Sequence, residues 1–356
     1  MNITSMKTNR IKTNRMKTVI VLGGGFAGAL AARKLEKYFQ VLLIDQKDYF
    51  EFTPAVLRTL VEPSHVDKIQ VRHSDYLQQA QVIKGQGRDI SEYSVMVNGK
   101  KHQFDYLVIA TGSSYHSKMK QQNLVIASRA QELHKYAQQL ASATKILIIG
   151  GGIVGVELAA EIIGKYPGKK ITMVHAMGEL IDRSPPKARQ YALKFLQHKG
   201  VAIIFNEMIT EHNGKFVSSK GTIFSCDLAF LCVGIMPNAQ GLGICSVDLN
   251  ARQQLCVNEY LQVNNYPHIF AAGDITDVKE EKTAQASEKQ AEVVVKNIKA
   301  LEQGGNLERY SVKPKPMVIS LGTGDGLFIY KNFVLKGIIP AFLKWLVEKK
   351  TMWKYR

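Results

Sequence analysis

Two glycine-rich turns, each between an apolar run and a helical run, constrain the fold of this 356-residue chain more than any other feature. In a G-x-G-x-x-G turn, the first glycine permits a tight bend, the second lets the backbone approach a pyrophosphate, and the third lets helix and strand pack closely. The N-terminus of the helix then offers free N–H groups to the phosphates. The residues predicted to line nucleotides are Gly23, Gly25, Phe26, Ala27 and Gly28 in the first turn, and Gly150, Gly152, Ile153, Val154 and Gly155 in the second.

The repetition matters because a single turn of this kind is a weak signal, since strand-to-helix turns rich in glycine also occur without a ligand. Two such turns in one chain imply two nucleotides, and two nucleotides imply electron transfer between them. The length leaves room for two domains, and a hydrophobic content of 46% is typical of a globular protein.

Positive charge is concentrated at the two ends of the chain, whose net charge is +17. Residues 1–17 carry five Lys or Arg and no acid, and residues 311–356 carry nine against two acids. A basic, disordered tail is predicted over residues 1–15, because they contain too few apolar residues to fold, and Met16 is a second candidate start. A solvated tail is the simplest interpretation of each end. Two basic ends together also point to an anionic surface, either membrane or nucleic acid.

Cysteine usage and the absence of targeting signals predict a cytoplasmic protein. No run approaches the roughly 18 apolar residues that span a membrane, and the N-terminus lacks the apolar core of a secretory signal. The cysteines are typical of reduced structural thiols, because their spacing is unlike that of a zinc site, and no metal is expected. The four cysteines are Cys226, Cys232, Cys245 and Cys256.

The residues at two strand ends bear on which nucleotide each turn binds. Asp45 ends an apolar strand about twenty residues beyond the first turn, where an acid accepts hydrogen bonds from a ribose 2′-OH. The alternative is that Asp45 caps a turn. His175 holds the matching place after the second turn, where an acid favours NADH and Arg or Lys favours NADPH. A histidine decides neither.

Five motifs in this order resemble flavoprotein reductases that bind FAD and NAD(P)H in two dinucleotide-binding domains. Over residues 16–310 the resemblance is closest to type II NADH dehydrogenases and to the family of apoptosis-inducing-factor-like mitochondrion-associated protein 2 (ferroptosis suppressor). The motifs are the two glycine turns, Ala110-Thr111-Gly112, Gly234-x-x-Pro237-Asn238 and Ala272-Gly273-Asp274.

The resemblance implies an α/β fold of two Rossmann-like domains with a small C-terminal α+β extension. The FAD-binding domain would take residues 16–125 and 258–310, the NAD(P)H-binding domain residues 126–257, and the extension residues 311–356. The implied FAD contacts, besides the first turn and Asp45, are Gln46, Thr53, Pro54, Arg58, Ala110, Thr111, Gly112, Gly273, Asp274, Thr283 and Ala284. The implied contacts of NADH or NADPH, besides the second turn, are Glu157, His175 and Gly234.

Four roles near the reacting rings are also implied by the resemblance. Glu157 would lie beside the nicotinamide, although a helical acid that complements the dipole is the alternative. Backbone N–H groups of residues 284–287 would face the flavin pyrimidine edge, and Asp274 would bind the flavin unless it caps a helix. Gln285 and Gln290 would lie near a quinone.

The absence of cysteine from residues 1–225 excludes the disulfide reductases among enzymes of this fold. Disulfide reductases carry C-x-x-x-x-C near the flavin, but residues 1–225 contain no cysteine. Sulfide oxidation through a cysteine persulfide is disfavoured for the same reason. Electrons are therefore expected to leave the reduced flavin directly, to a quinone, to oxygen or to a protein carrier.

The C-terminal stretch is predicted to form a basic amphipathic helix that begins at Pro340. It suits an interfacial helix on an anionic bilayer, or alternatively a helix docked on the flavin domain or on a second copy of the chain. Asn2 stands where some relatives carry the glycine needed for lipid anchoring, which weakens the membrane interpretation. The apolar residues at helical spacing are Ile339, Phe342, Leu343, Leu346 and Trp353.

These observations together predict an FAD-dependent NAD(P)H:quinone oxidoreductase, cytoplasmic or peripheral on the inner face of a membrane. One alternative is a reductase of a ferredoxin-like carrier, for which a basic face would suit an acidic partner. A non-enzymatic alternative is a redox-sensing protein, similar to apoptosis-inducing factor, that binds nucleic acid through its basic ends. A homodimer is a further candidate assembly.

Overall fold

Parallel five-stranded sheets occur twice in the computed structural model, which describes residues 15–115, 119, 123–126, 130–213, 215–243 and 249–356. Residues 1–14, most of the predicted tail, and Cys245 lie outside this range. The elements up to the end of the fourth strand of the first sheet are β1 (Thr18–Leu22), α1 (Phe26–Leu35), β2 (Gln40–Asp45), β3 (Tyr49–Glu51), 3-10 helices at Thr53–Leu60 and Pro63–His65, α2 (Val66–Ile69), β4 (Gln70–Arg72), α3 (His73–Tyr76), β5 (Gln81–Lys84), β6 (Gly87–Ser91), β7 (Ser94–Val97), β8 (Lys100–Gln103) and β9 (Tyr106–Ile109).

The second sheet is built from the middle of the chain. Its elements, with two antiparallel additions, are β10 (Ser113–Tyr115), β11 (Leu124–Ile126), α4 (Ala130–Leu133), a 3-10 turn at His134–Tyr136, α5 (Ala137–Ser142), β12 (Lys145–Ile149), α6 (Ile153–Lys165), β13 (Lys170–His175), α7 (Pro186–His198), β14 (Ala202–Phe205), β15 (Ile209–His212), β16 (Lys215–Ser218), β17 (Ile223–Phe224), β18 (Leu228–Leu231) and β19 (Ile235–Pro237).

The chain then returns to the first sheet before it forms the C-terminal extension. The remaining elements are β20 (Ile269–Ala271), α8 (Ala284–Gln303), β21 (Met317–Ser320), β22 (Gly326–Tyr330), β23 (Phe333–Lys336) and α9 (Ile338–Lys354).

Strand order shows that the second sheet is inserted into the first. The first sheet runs β20-β9-β1-β2-β5 and the second β11-β18-β12-β13-β14, and all of these pairs are parallel. Each strand that precedes a glycine turn is buried on both faces, as parallel sheets covered by helices require. A short ribbon of β10 and β19 connects the two sheets. The expected α/β fold with two Rossmann-like units is confirmed.

Proline and short 3-10 turns mark where several elements begin or break. The segment after Phe52 forms a 3-10 helix, and the helical stretch over residues 130–142 is interrupted by a 3-10 turn at His134–Tyr136. α7 begins at Pro186, and Pro185 occupies the N-cap position. The predicted start of the C-terminal helix was wrong. α9 begins two residues before Pro340, directly after Gly337, whose φ of 99° favours glycine.

The C-terminal helix α9 leaves most of its large apolar side chains outside. It buries Pro340, Glu348, Thr351 and Met352, whereas Ile338, Phe342 and Trp353 are 72%, 57% and 81% exposed. Beyond the helix, Tyr355 is buried and stacks on Phe50, with ring centroids 4.1 Å apart. The predicted apolar stripe therefore exists but faces outward. We call Ile338, Ile339, Phe342, Trp345, Leu346, Val347 and Trp353 the outer face of α9.

Candidate active site

The first glycine turn has the backbone that its sequence predicts. Gly23 adopts a φ of 96°, and a Cβ on Gly28 would overlap the carbonyl oxygen of Gly23. Gly25 precedes α1, and a Cβ there would meet nothing within 4 Å. The turn is thus closed beneath by Gly28 and open above at Gly25. This is the cradle that the pyrophosphate of a dinucleotide requires.

The second turn repeats this geometry. Gly150 has a φ of 111°, a Cβ on Gly155 would overlap the carbonyl oxygen of Gly150, and a Cβ on Gly152 would meet nothing within 4 Å. Ile153 and Val154 form the first turn of α6 and are half-buried. Both predicted dinucleotide cradles are therefore present.

Asp45 braces the first turn from the end of β2. Its Oδ2 accepts the N–H of Gly24, and its Oδ1 accepts the N–H of Lys47 at 2.6 Å. The bond to Lys47 makes Asp45 a turn cap, which was the alternative to a ribose contact in the sequence analysis. Gln46, which follows, is exposed. A carboxylate so held is positioned beside the open side of the turn, where a ribose would lie.

Sequence reasoning missed His73, which lies fully buried beneath the first turn. Its ring is against Gly24, and its Nδ1 is 2.6 Å from the Tyr76 hydroxyl. Its Nε2 is buried and lacks a hydrogen-bond partner among the described residues. Burial lowers the pKa of His73 to about 4, although Asp45 acts in the opposite direction. No motif or spacing marks this histidine, because its neighbours come together only through β2 and α3.

His175 holds the matching place at the second turn. It is buried at the end of β13, its ring is against Gly151, and its Nε2 has no partner in the described part of the chain. Burial lowers the pKa of His175, which keeps the imidazole neutral at pH 7. The histidine therefore offers a hydrogen-bonding group at this position but no positive charge.

The predicted flavin contacts at the sheet edge are connected to one another. Asn238 donates its amide N–H to the carbonyl oxygen of Thr111 at 2.8 Å, and its backbone N–H bonds the carbonyl oxygen of Gly112 at 2.9 Å. The Ser113 hydroxyl donates to Asp274 Oδ2 at 2.7 Å. Asp274 is thus fixed by the β10 ribbon and does not cap α8. Gly234 is exposed at the end of β18.

The start of α8 differs in part from the prediction. Thr283 is the N-cap and accepts the N–H of Ala286 at 3.2 Å, while the N–H of Ser287 bonds the carbonyl oxygen of Thr283. Two of the four N–H groups expected to face a flavin are therefore used within the helix. The backbone N–H groups of Ala284 and Gln285 remain the candidates for facing the flavin, and the Gln285 side chain is exposed.

The assignment of Gln290 to a quinone site was wrong. Gln290 is only 1% exposed, and its Oε1 accepts the N–H of Gly273 at 2.7 Å while its Nε2 donates to Glu280 at 2.8 Å. The side chain therefore fixes the turn after β20 to α8. Both ends of the amide are occupied.

A cavity of about 270 Å³ lies between the 3-10 helix Thr53–Leu60, α6 and α9. Three ion pairs cross it or border it, each joining two elements. Arg58 contacts Glu161 at 2.9 Å, Lys344 contacts Glu157 at 2.8 Å, and His65 contacts Glu348 at 3.2 Å. The lining residues are Pro54, Ala55, Leu57, Arg58, Glu157, Glu161, Ser320, Gly322, Thr323, Ile338, Ala341, Phe342, Lys344, Trp345 and Glu348.

Two of the described cysteines, Cys226 and Cys232, are poor nucleophiles. Burial raises the pKa of Cys226 to about 11 and that of Cys232 to about 12, so both thiols stay protonated at neutral pH. Cys232 lies just after β18, beside Gly150. These thiols do not provide the redox pair of a disulfide reductase. Within the described ranges, no group of three or more His, Cys, Asp or Glu side chains is placed to hold a metal ion.

Comparison with known proteins places the chain among flavin-linked reductases. Residues 17–291 match the pyridine nucleotide-disulphide oxidoreductase family. Apoptosis-inducing factor homolog B of Dictyostelium discoideum is 32% identical over 348 residues, which cover 88% of this chain and 90% of that protein. Ferroptosis suppressor protein 1 of Taeniopygia guttata is 31% identical over 355 residues, with 94% of each chain covered.

Two solved structures share the fold over almost the whole chain. NDH2 from Plasmodium falciparum, in complex with NADH, has a TM-score of 0.83 at 15% identity and covers 96% of each chain. The sulfide:quinone oxidoreductase of Aquifex aeolicus has a TM-score of 0.82 at 20% identity and covers 96% of this chain and 91% of its own.

Proposed function

We propose that this chain, which belongs to the pyridine nucleotide-disulphide oxidoreductase family and is an FAD-dependent NAD(P)H oxidoreductase, passes its electrons to a quinone. The family membership confirms the resemblance that the motifs indicated. Bound FAD would supply the hydride-accepting and electron-transferring chemistry, while the protein aligns the reactants and controls access of water. The first turn and Asp45 would hold the FAD, and the second turn would hold the nicotinamide nucleotide.

The observation that carries the quinone proposal is the position of the cavity. Pro54, an implied flavin contact, lines it on one side, and Ile338, Phe342 and Trp345 line it on the other. These three residues also belong to the exposed outer face of α9. The cavity thus combines an apolar, outward-facing rim with a charged inner wall. A quinone, with an apolar tail and a polar ring, matches both parts.

Glu157 supports the same assignment by its contacts. Its Oε1 accepts the backbone N–H of Ser320 and the ammonium of Lys344, each at 2.8 Å. Two donors on one oxygen fix the carboxylate in position. We infer that Glu157 orients the nicotinamide or the acceptor and fixes Lys344 in the wall.

The outer face of α9 supports delivery of the acceptor from a lipid surface. Seven large apolar side chains are exposed on this one helix, with Lys349 and Lys350 exposed beside them. Such a helix lies on an anionic bilayer with its apolar face in the headgroup region. No helix among the described residues is both long and apolar enough to cross a membrane. The proposed contact is therefore peripheral.

Stopped-flow kinetics test the proposal. The flavin-loaded protein is first reduced by NADH or NADPH and then mixed with a ubiquinone analogue, a menaquinone analogue or a ferredoxin. We expect rapid reoxidation by a quinone and a lower kcat/KM for ferredoxin.

A matched pair of variants, Phe342→Ser at the cavity rim and Trp353→Ser away from it, tests whether the quinone enters the cavity at this rim. The first should lower kcat/KM for the quinone at least about tenfold, because it removes apolar surface from the rim, and the second should not.

Two results would contradict the proposal. One is a clear preference for ferredoxin, and the other is equal activity of the two serine variants with a quinone that carries a long tail. A colourless protein that binds no flavin would overturn the cofactor assignment itself.

A further inference from the structure

Three carboxylates line the acceptor cavity, and each has a different partner. Glu157 is paired with Lys344 and Glu161 with Arg58. Lysine and arginine keep their protons at neutral pH. Burial alone would lower the pKa of Arg58, but the hydrogen bond that Arg58 donates to Glu161 raises it. Among the described acids of the cavity wall, only Glu348 is paired with an imidazole, which exchanges protons near neutral pH.

The Glu348–His65 pair connects the cavity to the region just beneath the protein surface. Its side chains are 8% and 5% exposed, and Glu348 Oε2 is 3.2 Å from His65 Nε2. Nδ1 of His65 is buried and has no hydrogen-bond partner in the described ranges. Pro63 and Ser64, directly before it, are exposed, so the ring lies under a surface turn.

We propose that Glu348 donates a proton to the reduced acceptor and that His65 restores it from water, a proposal that rests on the quinone function above. Conversion of a quinone to a quinol consumes two electrons and two protons. The acceptor receives both electrons and one proton through the cofactor, so one further proton is needed. Glu348 gives the proton that it shares with His65 to an acceptor oxygen and is left as a carboxylate. A proton from water then enters the pair at the imidazole of His65 and is shared again with Glu348.

The charges around the pair leave its proton available. Arg58 acts on Glu348, Glu161 and Glu62, and Glu62 in turn interacts with His65. Arg58 and Lys344 add two positive charges to the wall, and their partners Glu161 and Glu157 cancel them. Glu62 is 44% exposed and paired with Lys68. The pair therefore faces a nearly neutral surrounding and can hold one transferable proton between Nε2 and Oε2.

The variants Glu348→Gln and His65→Gln test this role, because an amide of similar size keeps a hydrogen bond but carries no transferable acid proton. The control is Lys354→Gln, which breaks a third ion pair of α9, with Glu288 at 3.3 Å. Reoxidation of the reduced protein is measured with a quinone analogue and with ferricyanide, which accepts an electron without a proton.

For E348Q we expect quinone-dependent reoxidation to slow at least about tenfold, since general acid catalysis contributes about 10²–10⁴ in rate. Reduction by NADH and reoxidation by ferricyanide should stay within about twofold of wild type. The solvent deuterium isotope effect on the quinone step should disappear. H65Q should also slow that step, and imidazole added to the buffer should restore it. K354Q should behave as wild type.

A binding measurement separates failure of this proposal from failure of the quinone function. The two tryptophans of the chain are Trp345 and Trp353, so Trp353→Phe leaves only the one that lines the cavity. Quenching of Trp345 by the quinone analogue then reports binding without turnover. A wild-type protein that neither reacts with quinones nor shows quenching overturns the function. Normal quinone reaction in E348Q and H65Q, or equal slowing with ferricyanide, overturns the proton role alone.

Discussion

The two glycine turns have one backbone and different surroundings. The N–H of Gly23 bonds the carbonyl oxygen of Ile44 at 2.7 Å, and the N–H of Gly150 bonds that of Val174 at 2.8 Å. The strand registers also match, because Leu22 pairs with Ile44 and Ile149 with Val174. In both turns a buried imidazole is packed against the middle residue.

The two turns differ in the side chains and hydrogen bonds that hold the middle residue, Gly24 in the first and Gly151 in the second. In the first, the strand-end carboxylate of Asp45 accepts the N–H of Gly24, and His73 reaches the turn from a separate element. In the second, the strand-end residue is itself the histidine, His175, which packs against Gly151. The first turn is therefore tied by a charge-assisted hydrogen bond as well as by packing. The second turn is tied by a neutral hydrogen bond, because the carbonyl oxygen of Gly151 accepts the N–H of Ile181 at 2.9 Å. The charge-assisted bond suits a cofactor that stays bound, and the neutral bond suits a donor that exchanges in each cycle.

The largest expected effect comes from adding a side chain at the third glycine of each turn, where the backbone is in close contact with a carbonyl oxygen. Gly28→Ala and Gly155→Ala would each place a Cβ against a backbone carbonyl that cannot move without displacing a strand. We expect each variant to lose at least about 3 kcal/mol of stability, the upper range for overpacking. Gly28→Ala should yield colourless protein, whereas Gly155→Ala should still bind FAD but no longer be reduced by NADH. Flavin absorbance and anaerobic reduction measure the two outcomes.

Loss of flavin from both variants would contradict the assignment of FAD to the first turn and NADH to the second, because the second turn would then also be needed for FAD binding. Gly164→Ala is the matched control. It lies in α6 as Gly155 does, and a Cβ there meets nothing within 4 Å.

The next effect is a pH dependence of stability from His73. Histidine in the unfolded chain titrates near pH 6.5, and burial lowers the pKa of His73 to about 4. Between these values the unfolded chain binds more protons, so stability is complete above about pH 6.5 and falls as the pH drops towards 4. The loss should reach about 3 kcal/mol, because a tenfold change in proton affinity is worth about 1.4 kcal/mol. Urea unfolding of wild type and His73→Gln at pH 7 and pH 5 tests this, and the wild type should lose about 2 kcal/mol over that interval. An unchanged pH dependence in the variant would exclude His73 as the cause.

The sequence predicted what depends on local rules. Glycines at fixed spacing, followed by helix and preceded by apolar strand, determine the backbone of both turns, because positive φ and close approach exclude other residues. The α/β fold followed from the same repeats. The start of α9 near Pro340 was missed because proline permits several helix starts, and tertiary packing selected one of them.

The site was less predictable where distant segments meet. The pairing of Glu348 with His65 joins residues 283 positions apart, and that of Lys344 with Glu157 joins residues 187 apart. Nothing in the spacing of either segment indicates its partner. The outward orientation of the apolar stripe of α9 agrees with the interfacial helix that was one of the two interpretations from sequence, but the sequence alone did not decide between them. Helical periodicity identifies an apolar stripe, but which side is buried depends on the acids and bases that the rest of the fold offers.

A smaller effect is expected at the second glycines, whose positions are open. A Cβ on Gly25 or Gly152 meets no protein atom within 4 Å, so Gly25→Ala and Gly152→Ala should fold with unchanged melting temperatures. Each Cβ would instead occupy space that a pyrophosphate needs. We expect FAD affinity to fall about tenfold to a hundredfold in the first variant, and the KM for NADH to rise similarly in the second. Fluorescence titration and steady-state kinetics separate the two, and unchanged affinities would show that the open space is not the phosphate site.

The smallest effects should distinguish the two strand ends. Asp45→Asn weakens the bond to Gly24 and the expected bond to a ribose, so FAD affinity should fall about tenfold, the usual worth of one charge-assisted hydrogen bond. His175→Asn removes only a neutral ring that packs against Gly151, so KM for NADH should change about threefold or less. Because no positive charge is lost, the ratio of kcat/KM for NADH to that for NADPH should stay constant. A large shift in that ratio would mean that His175 is protonated when the donor binds, and the two turns would then differ in charge as well as in bracing.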